Sequence, residues 1–85
     1  MENKQEIGKV AHFYPKISVA VVELTGKLKV GDKISIEGHD NVVEQTVDSM
    51  QVEHKAIETA KAGDAVGMKT VQPVKEKDVV YKVVE

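Results

Sequence analysis

The conventional chemistry open to this chain centres on three histidines, His12, His39 and His54. His39 stands beside Asp40 and His54 beside Glu53, so each pair brings an imidazole next to a carboxylate. A metal centre needs more than this. Zinc takes four ligands, usually in local pairs, and no H-x-x-x-H or comparable spacing adds to His39 and Asp40. Glu53 and His54 make a poor acid–base dyad for a different reason: neighbours on a strand point to opposite faces. The fourteen carboxylates are spread along a charged chain, and nothing selects two of them for general acid–base work. Ser18, Ser35 and Ser49 are the only serines, and none sits in a G-x-S-x-G elbow. Cysteine is absent, which removes disulfides, thiolate metal sites and cysteine nucleophiles together. The residues therefore predict a protein with no catalytic centre, no metal and no cofactor.

Binding chemistry is better represented. Lys27, Lys29 and Lys33 flank the dipeptide Gly31-Asp32. Converging on one rim, they would position a phosphate backbone without reading its sequence. Spread apart, they would form a solvated rim of mixed sign. His12-Phe13-Tyr14-Pro15-Lys16, with Lys9 nearby, places aromatics beside cations, the combination on which single-stranded nucleic acids stack. The same residues would equally pack a first hairpin, with one of Phe13 and Tyr14 turned inward. All twelve basic residues are lysine. Arginine makes the bidentate contacts to phosphate and guanine, so its absence weighs against sequence-specific reading. The formal net charge of -2 weighs against a broad basic footprint. A Lys/Glu-rich surface serves solubility, and it is also a mark of heat-loving sources.

These groups must be positioned by a small scaffold. Eighty-five residues make one domain, with only a modest core. Apolar residues alternate with period two, the mark of strands. Strands are expected over Ile7 to Tyr14, Ile17 to Leu24, Lys33 to Glu37, Val66 to Thr70 and Val79 to Val83. In the second, Ile17, Val19 and Val21 face one way, and Val22 and Leu24 the other. Turns are expected at Pro15-Lys16, Thr25-Gly26, Gly31-Asp32, Gly38 to Asn41 and Gly63-Asp64. Between Val42 and His54 the apolar positions change parity, from Val43 and Val47 to Met50 and Val52. That predicts a bulge near Asp48-Ser49 in one bent strand, or two separate strands. Ala56 to Ala62 is the single helical candidate, too short for more than a turn. Pro73 belongs in a loop or at a strand end. No internal repeat is evident. Residues 1–6 are polar and read as a flexible segment before a domain spanning 7–85. They lack a signal-peptide pattern, and no apolar run is long enough for a membrane span, so a cytoplasmic location is expected.

Two stretches are more specific. Gly26-Lys27-Leu28-Lys29-Val30-Gly31-Asp32-Lys33-Ile34-Ser35-Ile36, and Val47 to Lys55 followed by Ala62-Gly63-Asp64-Ala65-Val66-Gly67-Met68, resemble the second domain of translational GTPases of the elongation factor Tu type. The resemblance covers roughly Ile7 to Val84. It implies an all-β fold, a small closed barrel of about six strands. A similar barrel is found in the small C-terminal domain of collagenase-like peptidases, some of which act in RNA modification. The nucleotide-binding loop G-x-x-x-x-G-K-[ST] of the GTPases is not present, so no nucleotide is expected. In elongation factors this barrel holds the acceptor end of aminoacyl-tRNA. Aligned through Ala-Gly-Asp, the pocket positions fall at Gln51, His54 and Ala65, where the family commonly has a Glu, a basic residue and an Asn. Gln51 has lost the charge and Ala65 the polar side chain.

The resemblance thus implies a non-catalytic binding module that docks on an RNA–protein complex or on a translation or RNA-modifying enzyme. Its contacts would come from Lys27, Lys29, Lys33, Gln51, His54, Lys55 and Ala65, with Gly31, Asp32, Gly63 and Asp64 as structural turns. The partner would be tRNA or ribosomal RNA, held weakly, or a translation-related protein. The alternative is an accessory domain that binds only proteins, itself included, through exposed strand edges.

Overall fold

The computed structural model describes residues 3–38, 41–53 and 55–84, leaving aside the side chain of the last. The fold is all-β. Its strands are β1 (Asn3–Tyr14), β2 (Val19–Leu24), β3 (Leu28–Lys29), β4 (Lys33–Glu37), β5 (Val42–Thr46), β6 (Met50–Val52), β7 (Lys55–Ile57), β8 (Thr59–Ala60), β9 (Ala65–Lys69) and β10 (Val79–Val84). Eight of them form one sheet in the order β5-β4-β10-β1-β2-β9-β6-β7, while β3 pairs with β8. Every pairing is antiparallel.

The expected alternation holds where it was clearest. Val22 and Leu24 are buried, with Val19 and Val21 on the other face. Ile34 and Ile36 point inward, and Val66 and Met68 do the same on β9. The parity change after Val43 resolves into two strands, β5 and β6, separated by Val47 to Ser49. Phe13 packs against the core and Tyr14 faces outward.

The long first strand bends the sheet. Its register slips between Glu6 and Gly8 against β10, and between Val10 and His12 against β2. Each slip inserts one extra residue, which increases local twist. The slips also reset the inward face, so that Ile7, Val10 and Phe13 all contribute to the core despite their spacing of three. β1 begins at Asn3, four residues before the expected start. Asn3 to Glu6 ladder with Tyr81 to Val84.

A closed barrel is not what the ladder describes. Among the described residues no strand pairing joins the two ends of the sheet, β5 and β7. The chain leaves β5 at Val47, whose backbone bonds Gly31 and Asp32 instead, and β7 is only three residues long. A side chain bridges part of the gap. The buried amide of Gln45 donates to the Lys69 carbonyl at 2.8 Å and accepts from the Val71 N–H at 2.9 Å. It thereby satisfies the two main-chain groups flanking Thr70, as a neighbouring strand would.

The helical expectation for Ala56 to Ala62 is also corrected. Those residues form the end of β7, all of β8 and the start of a turn. Their backbone is occupied by strand partners in β6 and β3, and the Glu58 carbonyl accepts the Val30 N–H at 2.8 Å. A single helical turn could not compete with those bonds.

The two Gly-Asp turns share one construction. Gly31 and Gly63 have φ of 98° and 96°, a region in which glycine carries no Cβ penalty. The following aspartate accepts the N–H of the residue three back: Asp32 from Lys29 at 3.0 Å, Asp64 from Lys61 at 3.1 Å. A third copy was not expected. Asp78 accepts the Lys75 N–H at 2.9 Å, and the glycine position is filled by Lys77 with φ of 76°. Each turn also clamps one buried aliphatic residue by a reciprocal pair of backbone bonds: Val47 by Gly31 and Asp32, Leu24 by Gly63 and Asp64, Val10 by Lys77 and Asp78. The strands β4, β9 and β10 then start from these turns with Ile34, Val66 and Val80 fully buried. The expectation of no internal repeat is therefore corrected: a short unit, Lys-x-[Gly/Lys]-Asp-x-[Ile/Val], recurs three times.

Candidate functional site

The outer face of β1, β2, β9 and β6 is where exposed apolar groups gather. Cross-strand register aligns His12, Val21, Gly67 and Gln51 in one row. Tyr14, Val19 and Lys69 form the next. Opposed residues on antiparallel strands share a face, so the rows build one surface. Between them lies a groove of about 470 Å³, lined by Tyr14, Ile17, Val19, Val21, Gln51, Glu53, Ala65 and Gly67.

Local structure explains its shape. Gly67 carries no side chain above the floor, and Val19 and Val21 are half-buried beside it. Ile17 lies in the β1–β2 turn rather than in β2, and it is 59% exposed. It is held there by the bond from its N–H to the Tyr14 carbonyl at 3.3 Å and by Ser18 at φ of 55°. Tyr14 is 47% exposed, and its ring meets that of His12 edge-on at 4.4 Å. His12 in turn lies 3.0 Å from the Glu76 carboxylate.

Gln51 and Ala65, two of the residues singled out from the sequence, both line this groove. Lys27, Lys29, Lys33 and Lys55 are exposed but do not. Lys29 lies in β3 and Lys33 opens β4, on either side of the Gly31-Asp32 turn, and Lys55 opens β7. Asp32 is engaged both by the Lys29 N–H and by the Lys82 ammonium at 3.4 Å. His54, His39 and Asp40 lie outside the described residues. Sequence reasoning missed Ile17, Val19, Val21, Glu53 and Gly67 as site residues. The available signal was Ile17, a large apolar residue directly after Pro15-Lys16, where a turn exposes it.

A larger hollow of about 830 Å³ is lined by Glu37, Gly38, Asn41 and the 73–79 segment. Its border carries charges of both signs, and its acids already have partners. Asp78 holds the Lys75 N–H. Glu37 accepts from Lys4 at 2.7 Å and from the buried Ser35 hydroxyl at 3.0 Å. The Lys4 hydrogen bond, with help from Ser35, holds the Glu37 carboxyl below its ordinary value against the opposing effect of burial. Among the described residues no three His, Asp or Glu side chains converge as metal ligands would. No helix among them is long and apolar enough to cross a membrane.

No protein-family model matches the chain. Two crystal structures share its fold, and both are of the C-terminal domain of a Geobacillus thermoleovorans protein assigned as a U32 peptidase. One gives a TM-score of 0.86 over 92% of this chain and 91% of that one. The other, a selenomethionine variant, gives 0.85 over 89% and 96%. Identity is 18% in each case, so the likeness is one of fold.

In sequence the chain is similar to an uncharacterized protease of Methanocaldococcus jannaschii, 51% identical over 79 residues. That match covers 92% of this chain and 19% of the relative. The chain therefore spans about a fifth of the length of the curated relative it matches. Of the two resemblances read from the sequence, the peptidase C-terminal domain is the one these comparisons support. The elongation-factor resemblance receives no support from them.

Proposed function

We propose that this chain is a non-catalytic accessory module whose work is to bind another polypeptide. The observation that carries this is the match at 51% identity, confined to a fifth of a much longer protease-named chain. The same fold has been crystallised as a separate C-terminal domain. A domain that forms a fifth of a longer chain in a relative is suited to contacting polypeptide. Function lives in the site rather than the fold, and the surface of this domain offers an apolar groove rather than a cluster of reactive groups. We read the curled sheet as an incomplete barrel whose seam is bridged in part by the Gln45 amide, and we place the protein in the cytoplasm.

The test is affinity capture from the organism that makes the chain, with the full chain as bait and the captured polypeptides identified by mass spectrometry. The expected result is a polypeptide resembling the part of the Methanocaldococcus relative outside the matched region. Capture of RNA alone refutes the proposal.

Weak RNA contact remains a second reading, favoured by the exposure of Lys27, Lys29 and Lys33 around one turn. Phosphate contacts release counterions, so such binding would weaken steeply with salt. Titration with total tRNA at low and physiological salt decides it. No saturable binding at low salt removes this reading, and binding unchanged by K27E, K29E and K33E together removes the lysine rim as its site.

A further inference from the structure

We propose that the groove beside Gly67 is the docking surface, and that its occupant is an extended polypeptide segment carrying aliphatic side chains and a lysine or arginine. This rests on the accessory reading above and names its surface and the chemistry of its partner.

The apolar side chains are concentrated, not scattered. Single exposed hydrophobics are ordinary on a protein surface, and Val42 and Val71 are of that kind. Tyr14 and Ile17 differ because they stand together over a floor that Val19, Val21, Ala65 and Gly67 also line. A contiguous exposed apolar patch with a polar rim marks an interaction site. The floor is formed by neighbouring strands, and the bare backbone at Gly67 lets a second chain approach closely. A Cβ placed there would rest in ordinary contact with the Val19 side chain at 3.5 Å and the Gln51 carbonyl oxygen at 3.9 Å, so glycine leaves the floor one side chain lower.

Backbone strain brackets the same place. Among the described residues three non-glycine residues have positive φ: Ser18, Glu53 and Lys77. Lys77 is accounted for by the third Gly-Asp-type turn. The other two flank the groove, with Ser18 next to Ile17 and Glu53 in the lining itself. Such conformations cluster where binding surfaces are held in a set shape. The Tyr14 wall is braced in the same sense, by His12 at its edge and Glu76 behind it.

Charge selects the occupant. Among the described residues Glu53 is the one carboxylate in the lining, and no lysine lines it. A phosphate backbone would meet a like charge at Glu53 in the lining. An apolar segment with a cation at the matching end would bury its side chains against Val19 and Val21 and leave its ammonium or guanidinium beside Glu53. Complementary charge across a contact fixes register and rejects wrong partners.

The probe is a pair of synthetic peptides, Lys-Val-Ile-Val-Lys and its charge-reversed form Glu-Val-Ile-Val-Glu, titrated into isotope-labelled full-length protein by NMR. The expected result is that the lysine peptide moves the amides of Ile17, Val19, Gln51, Glu53 and Gly67. The glutamate peptide should bind about five- to tenfold more weakly, as expected for like charges brought together at a partly solvated contact. Ile17→Asp, an exposed turn position, should abolish the response, and Glu53→Lys should reverse the preference between the peptides.

Equal binding of both peptides, shifts elsewhere, or no shifts overturns the proposal. So does movement of these amides with tRNA, or with protein concentration alone, the latter making a second copy the occupant. Capture experiments with the variants separate the two levels. If I17D and E53K baits capture the same polypeptide as the unchanged chain, the groove fails and the accessory reading stands. If the unchanged chain captures no polypeptide, the accessory reading fails with it.

Discussion

Replacing Lys77 by glycine should stabilise this protein, although a lysine side chain is lost and no new contact is made. Lys77 occupies the third position of the 75–78 turn at φ of 76°, where the two sister turns carry Gly31 and Gly63. A left-handed backbone costs an L-residue about 1–2 kcal/mol. Glycine avoids that cost but loses more freedom on folding, about 0.5–1 kcal/mol relative to alanine. The difference leaves a net gain of about 0.5–1 kcal/mol for Lys77→Gly. Its hydrogen bonds survive, since they use the Lys77 N–H to Val10 and the Asp78 groups.

The mirror experiment is Gly31→Ala or Gly63→Ala. Nothing lies within 4 Å of an added Cβ at either position, so steric contact plays no part. The same terms with reversed sign give a loss of about 0.5–1 kcal/mol. In a domain of this size 1 kcal/mol moves Tm by about 4–8 °C. Thermal and urea denaturation followed by far-UV circular dichroism would read all three variants, with an unchanged m-value showing that only stability moved. A destabilised Lys77→Gly together with a neutral Gly31→Ala would refute the account of the three turns as one construction.

Gln45→Met keeps the volume but leaves the Val71 N–H and the Lys69 carbonyl without their partner, a loss of about 1–2 kcal/mol for two part-buried bonds. Accelerated hydrogen exchange at the Val71 amide would locate the damage. Asp32→Ala, Asp64→Ala and Asp78→Ala each remove a carboxylate acceptor from a backbone N–H, and each should cost about 1–2 kcal/mol in urea denaturation. Glu37 predicts a pH dependence of known sign. Its pKa is lowered from 4.5 by folding, so its contribution is fully present above that value and is lost as pH falls through the lower folded one. Glu37→Gln should flatten this part of the acid limb of a stability-against-pH curve.

How much of this was legible in the sequence varies with the range of the interaction. Strand faces set by local alternation, such as Ile34 with Ile36 and Val22 with Leu24, could be read directly. So could the two turns whose glycine is explicit. The third turn could not, because Lys77 gives no sign of positive φ. It is the long-range clamp of Val10 by Lys77 and Asp78 that holds the lysine in that conformation. The bulges at Ile7 and Ala11 were hidden for a related reason. Pairing with two different strands, β10 and then β2, sets the register of β1, and neither partner is visible from within it. Closure failed in the opposite direction: family resemblance implied a continuous barrel, and a single glutamine amide bridges part of the seam.

The candidate site shows the same division. Gln51 and Ala65 were singled out through an alignment to a family that the comparisons do not support, yet they line one groove. That outcome follows from register and needs no shared function. Gln51 is opposite Gly67 across β6 and β9, and Ala65 is two residues from Gly67 on the same face, so any fold with this pairing brings them together. What the family alignment lacked was the other wall, Tyr14 and Ile17, delivered by the β1–β2 turn from the far end of the chain. With that wall present the surface is apolar, with Glu53 its one carboxylate among the described residues, and it is less suited to an acceptor end of RNA than to a strand of protein. The lysines that suggested RNA stand around a different turn, so the residues read from the sequence as one contact surface fall in two places. A variant at one place therefore tests that part of the surface without disturbing the other.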